Sequence, residues 1–574
     1  MTGEDALLFD VTPHHDLRAP ARWHGQGRWG AWGYLLPAVV LTTVVLLAPL
    51  TVTVVTSVAE DGGLDGYLKV LTDEEVWLAL FHNALWLMLA LVVCGLGLGL
   101  AWLARDTGPR TRGVLLAVLA LPSVTSPLTT GVAFRLIFDA NPSRGLVSAL
   151  LPGDVVFLGP GWIWLVLGLA FVWQWTGLAF LVFHVGLSTM PADLLRVGRV
   201  FGAGRLRRLR TVVIPALFPT AALVMLIVLT AAVRVFDLVL VGVPGSIQSS
   251  VDVVGLFWWR HRDDLGDGRA SALAILLFAM AVALVMLVLW RLRRDWPSAG
   301  PRREDRPVPV PGRPRRVVQV LSAVVAVVWA FPLVALLLTS FRAPKEAATS
   351  GWWTGGGGLG SYGEAFSDGS FAGALGATAQ RGLLVAVVVL LLAVPAAYAL
   401  TPEQLPRRVR RIVATGAVVL TVLPPQALAL PLGRVLGPGP GGIVILSLVH
   451  AALVLPLAVL LLRNAFISVP RPVVLRPLAE GRSAMFQVTA ESGPAVVAVA
   501  VLAFVLTWND LVLGLLLNWP ADQAPLVVLQ QARHFTTSAG GLAAQTIVLT
   551  AVPVLLLFAT GRWLVRGLTQ GVRR

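Results

Sequence analysis

Six arginines (Arg196, Arg199, Arg205, Arg207, Arg208 and Arg210) share one short, glycine-containing stretch with a single acid, Asp193. Charge at that density binds nucleic acid or, in a membrane chain, fixes the side of the bilayer on which a loop lies. The stretch is also regularly punctuated, with Gly202 eleven positions after Pro191 and Pro215 thirteen beyond that. A second set of polar groups lies within or at the ends of apolar runs: Trp173, Gln174 and Trp175; Arg234, Phe236 and Asp237; Asn509 and Asp510. Polar and aromatic side chains at membrane depth are expected where a path crosses the bilayer. Each has a plainer use as well. The tryptophans suit packing against a neighbouring helix, Arg234 suits a pair with Asp237 or a reach to the surface, and Asn509 suits an interhelical hydrogen bond.

No enzyme chemistry is written beside them. The two lysines, Lys69 and Lys345, follow neither a glycine-rich loop nor a strand, and no G-x-x-x-x-G-K-[ST] run occurs, so nucleotide binding falls to another subunit. His82, His184 and His450 have no second ligand at metal-binding spacing and read as packing groups. The one cysteine, Cys94, excludes an intramolecular disulfide and a cysteine-cluster metal site. Neither a cofactor, a metal nor a nucleic-acid partner is expected.

These groups must be carried by membrane-spanning helices. Hydrophobic residues make up 56% of the chain and charged residues 13%, too little charge to cover the surface of a soluble protein of 574 residues. A span needs about 20 apolar residues. On that basis twelve are read, near 31–58, 77–104, 114–138, 161–188, 211–235 and 270–292, then 317–340, 378–400, 412–434, 442–462, 494–518 and 541–565. Pro122 and Pro127, and likewise Pro424 and Pro425, fall inside the third and ninth spans and make those two candidates for broken helices. Arginines follow every even span: Arg105, Arg110 and Arg112; the six above; Arg291 to Arg316; Arg407, Arg408, Arg410 and Arg411; Arg471, Arg476 and Arg482; Arg566, Arg573 and Arg574. The loop after the first span is acidic, with Glu60, Asp61, Asp65, Asp73, Glu74 and Glu75. The asymmetry places both termini in the cytoplasm of a multi-pass protein of the cell membrane.

Residues 293–316 are rich in proline and arginine and read as a solvated tether between two six-span halves, 31–292 and 317–566, flanked by tails 1–30 and 567–574. In the second half Gly481 again lies eleven residues after a proline, Pro470, and is preceded by Glu480.

The loop at 190–210 resembles the cytoplasmic coupling loop of binding-protein-dependent ABC importers, whose pattern is E-A-A-x-x-x-G, nine residues, then I-x-L-P. Gly202, Val212, Ile214 and Pro215 fit that register, and Arg196, Val197 and Gly198 stand where Glu-Ala-Ala is usual. Its counterpart at 469–493 is shorter and lacks the I-x-L-P ending. Elsewhere GVAFRLIFDANPSRGLVSALL (131–151), FVWQWTGLAFLVFHVGLSTMP (171–191) and RVFDLVLVGVPGS (234–246) are similar to the first permease of carbohydrate importers of the maltose and glycerol-phosphate type. TSFRAPKEA (339–347), VLPPQALALPL (422–432), TWNDLVLGLLL (507–517) and RWLVRGLTQG (562–571) are similar to the second. The whole resembles the two permeases fused end to end.

That resemblance implies an all-α fold of about twelve spans in two tandem halves, the type I importer permease fold. It implies a separate ATPase dimer that receives Arg196, Gly198, Gly202, Ala203, Pro215, Glu480 and Gly481. A binding protein outside the cell would deliver a sugar, which would pass Trp173, Gln174, Trp175, Arg234, Phe236, Asp237 and Asn509, aromatic faces and amides suiting a carbohydrate. Fused permeases for iron or thiamine share the plan. A secondary carrier of the major facilitator type shares only the twelve spans: LARDTGPRTRG (103–113) does not match its loop order, and it predicts no glycine- and proline-spaced loop after span four.

Overall fold

The structure, a computed structural model, describes residues 28–60, 63–151, 155–188, 190, 204–295, 316–354, 357–367, 369–401, 404–435, 442–470, 483–517, 522–533 and 539–569. Among them every regular element is helical. Eight helices are long and apolar enough to cross a membrane, and four further pairs pass the same test if each bent pair counts as one span, giving twelve.

The first half holds α1 (Gly30–Ala59), α2 (Glu74–Ala104), the bent pair α3 (Pro109–Val124) and α4 (Pro127–Ile137), and α5 (Ile163–Ser188). A second bent pair follows, α6 (Leu209–Ala216) and α7 (Phe218–Val233), then short α8 (Asp237–Gly242) and long α9 (Val254–Asp295). The second half repeats the order: α10 (Arg316–Ser340), α11 (Ser370–Ala399), α12 (Arg407–Thr421) with α13 (Gln426–Val435), and α14 (Gly442–Ser468). It ends with α15 (Ala484–Glu491) and α16 (Gly493–Trp508), α17 (Val512–Leu516), α18 (Ala524–Arg533) and α19 (Ala539–Thr569).

Proline chemistry sets the bends. Before Pro127, Thr125 and Ser126 are extended, as a residue ahead of proline must be, and Ser126 Oγ caps the new helix by accepting from Leu128 N–H at 3.2 Å. The third span therefore turns by 103°. Its repeat, interrupted by Pro424 and Pro425, turns by 87°. The two spans that prolines marked as breakable are thus broken. The fifth spans bend too, by 70° and 75°, each just ahead of a proline in the first turn of its second limb, Pro219 in α7 and Pro494 in α16. Helix α9 is two limbs joined at a break at Gly266, whose φ of 74° suits glycine, and the second limb starts close to 270, where the sequence placed the sixth span. One boundary differs from those read in the sequence. The eleventh stops at Trp508, and its expected tail to 518 is instead a break followed by α17.

Each half packs α5 or α14 against its second and third spans at the centre. These are the most enclosed helices, with 56% and 61% of their apolar stretch buried against 22% for α1. Close approach there depends on glycine: a Cβ at Gly177 of α5 would run into the backbone carbonyl of Leu119 in α3.

The first spans are exchanged. Helix α1 rests on α9 of its own half and on α11, α13 and α14 of the other, while α10 rests on α19 and reaches over α2, α3 and α4. Tyr34 of α1 meets Tyr398 of α11 edge to face at 5.9 Å, and Thr53 Oγ1 donates to the Ala427 carbonyl at 2.7 Å. Reciprocally, Trp173 Nε1 of α5 donates to the Trp329 carbonyl of α10 at 2.8 Å.

Candidate functional site at the interface of the halves

Helix α7 ends at Val233, sixteen residues and about 24 Å beyond its bend, and α8 begins four residues later. In the second half α16 ends at Trp508 and α17 begins at Val512, the same interval. The two breaks are equivalent places in the repeat. Each leaves the last carbonyls of one helix and the first N–H groups of the next without helical partners, which makes such a break a polar point in an apolar bundle.

What fills the breaks differs. The first holds Arg234, Val235 and Phe236, the second Asn509, Asp510 and Leu511. In the run Ala232–Val239 Arg234 alone is exposed and its neighbours are buried. The charges that act on its guanidinium come from both halves, Asp510 across the interface and Asp237 of its own. Phe236 is buried with its ring edge on Trp259, centroids 6.2 Å apart. Asp237 starts α8, is 7% exposed and leaves Oδ1 without a hydrogen bond.

Asp510 is the hub. Its Oδ2 accepts from His450 Nε2 of α14 at 3.1 Å and from the Leu513 N–H at 3.2 Å, starting α17. Its charge, with that of Asp522, also acts on the buried Arg381 of α11, whose Nε and Nη2 have no hydrogen-bond partner. Asn509 Nδ2 donates to the Val124 carbonyl at 2.9 Å, at the bend of the other half's third span. The two breaks and one bend therefore meet in a single cluster of charges drawn from both halves.

The remaining residues picked out for a path lie in the packing of α5, Gln174 at the same third-span bend that Asn509 bonds. Trp173 is 5% exposed, its N–H committed to Trp329 and its ring 5.7 Å from that of Phe134. Gln174 is buried and donates to the Thr125 carbonyl at 3.4 Å, and Trp175 packs beside Phe171 at 6.3 Å. Of the coupling residues, Pro215 lies in α6, one residue short of its end. Arg196, Gly198, Gly202, Ala203, Glu480 and Gly481 lie outside the described residues. Sequence reasoning took His450 for a packing group and passed over Arg381. The signal was present in each, a polar residue within an apolar span, but their partner Asp510 lies 60 and 129 positions away, beyond any local pattern.

Residues 33–293 match the family described as "Binding-protein-dependent transport system inner membrane component". The trehalose/maltose transport system permease protein MalF of Thermococcus litoralis is 28% identical over 247 residues, 41% of this chain and 81% of that protein. The trehalose transport system permease protein SugB of Mycobacterium tuberculosis is 29% identical over 217 residues, 35% of this chain and 76% of that one. A bacterial ABC transporter involved in the import of the acidic polysaccharide alginate has a chain that aligns with 46% of this one at 20% identity, with a TM-score of 0.42. Relatives matched over most of their own length cover less than half of this chain, which is about twice the length of a single permease. Residues 33–293 therefore carry that family's domain, and with the same six-span order repeated after it the chain is similar to two ABC permeases in tandem.

Proposed function

We propose that the chain supplies both membrane halves of an ATP-driven importer for a sugar or sugar derivative. A separate ATPase dimer binds the basic loops at 190–210 and 469–493 on the cytoplasmic side, where both termini lie. A binding protein docks on the opposite face and releases sugar between the halves.

One observation carries the mechanism: in both halves the limb that leaves the basic loop bends and then leads to a helix break in the shared charged cluster. A push on α6 or α15 is thereby passed along a rigid limb to Arg234 or to Asn509 and Asp510. Alternating access follows if these breaks approach and part as the ATPase closes and opens. The choice of a sugar is supported by the names of the relatives, a trehalose/maltose and a trehalose permease among them. An arginine, an amide and two carboxylates at one interface offer both donors and acceptors to hydroxyl groups.

The test is uptake into proteoliposomes with the partner ATPase and binding protein, ATP hydrolysis being followed in parallel. Labelled sugar should accumulate only with ATP, and Gly202→Pro should abolish uptake by distorting the basic loop. Accumulation driven by a proton gradient without ATP would refute the proposal.

A further inference from the structure

Two arginines that no path or coupling role uses stand at equivalent positions in the repeat. Arg135 is the ninth residue of α4 and Arg434 the ninth of α13, each in the last turn of the second limb of a broken third span. Both reach across to the other half. Arg135 Nη1 donates to the Ala532 carbonyl in the last turn of α18 at 3.3 Å, and also to the Val241 carbonyl in the last turn of α8 at 3.4 Å. Arg434 pairs with Asp267 of α9, one residue beyond the kink at Gly266. Helix α18 and the part of α9 before Gly266 are themselves equivalent, each being the segment that leads into the sixth span. The contacts are therefore reciprocal in place: the third span of either half touches the other at the entry to its sixth span, on the approach at Ala532 and just past the kink at Asp267.

The chemistry suits a clamp that can open. A helix C-terminus carries partial negative charge and carbonyls without helical partners, so one guanidinium between two such ends binds both without a permanent covalent or apolar seal. Arg262 adds a third contact of this kind, donating to the Leu516 carbonyl, the last of α17, at 3.0 Å. The end of a third span and the start of a sixth lie on the same side of an up-and-down bundle, so all these contacts share one end of it. We propose that Arg135 and Arg434 are a pair of positioning residues that hold the halves together at that end, and that opening there requires both to release. This rests on the arrangement of the halves alone and is independent of the cargo.

A cross-linking rate in the full chain tests it. Thr129 of α4 and Thr550 of α19 face each other across the halves with their Oγ1 atoms 3.0 Å apart. In a Cys94→Ser background, Thr129→Cys with Thr550→Cys reports how often α4 is seated on the other half. A protease site inserted at 296–315 turns the disulfide into one band instead of two on a non-reducing gel. Arg135→Gln should slow disulfide formation about tenfold and Arg434→Gln about threefold, although Arg434 lies on the opposite limb from the reporter. The exchanged pair Asp267→Arg with Arg434→Asp should restore the parental rate. The side chains of Asp267 and Arg434 are 36% and 55% exposed, so this arm leaves no buried charge and decides the matter even if Arg135→Gln fails to fold. Parental rates in Arg434→Gln, or in a folded Arg135→Gln, would overturn the proposal. So would a failure of the exchanged pair to restore the rate.

Discussion

Asp510 is more constrained than its neighbours because it bonds His450 and its charge balances two arginines, Arg234 in the opposite break and Arg381 of α11. Arg381 is 1% exposed, so removing the facing charge leaves a buried cation poorly balanced. Asp510→Asn should cost about 3 kcal/mol of stability and abolish uptake, measured by thermal unfolding in detergent and by sugar accumulation in proteoliposomes. Arg234 is exposed, but the buried Asp237 three residues on depends on its charge, so the charge is kept: Arg234→Lys should hold the melting temperature within about 2 °C of the parent and still lose most uptake. If the two variants fall together in stability, Arg234 is part of the scaffold and not of the path.

At the scale of elements, the bends and the close crossings do the positioning. Gly177 lets α5 meet the backbone of α3, and a side chain there must push the helices apart. Gly177→Val should destabilise by about 2 kcal/mol or more, read from the same thermal unfolding. The Trp173 N–H ties α5 to α10 across the halves. Trp173→Phe keeps the ring and loses one buried hydrogen bond, for a cost of about 1 kcal/mol. Were Trp173 instead only a sugar platform, that same variant would leave stability unchanged, so the loss of stability identifies the packing role.

For the whole molecule, the exchange of first spans is the main fact. Helix α1 lies on the second half and α10 on the first, so the halves hold one another without the tether between them. Chains cut within 296–315 and expressed together should co-purify through an affinity tag on either piece, and should reconstitute ATP-dependent uptake. Recovery of the tagged piece alone would mean that the tether, and not the exchanged helices, joins the halves.

Hydropathy and arginine placement were enough for the class, the number of spans and the repeat, because the bilayer demands long apolar helices whatever their neighbours. Prolines at 127, 424 and 425 marked the breaks, since proline acts on the residue beside it. Arg234, Asp237 and Asn509 were legible as odd polar groups, but not their grouping with Asp510, Arg381 and His450. That grouping, the exchange of α1 and α10, and the reciprocal arginines at 135 and 434 were decided by the tertiary structure alone. The physical reason is range: helix formation and membrane insertion depend on neighbours within a few turns, whereas a charge in a bundle interior finds its partner on whichever helix the packing brings against it.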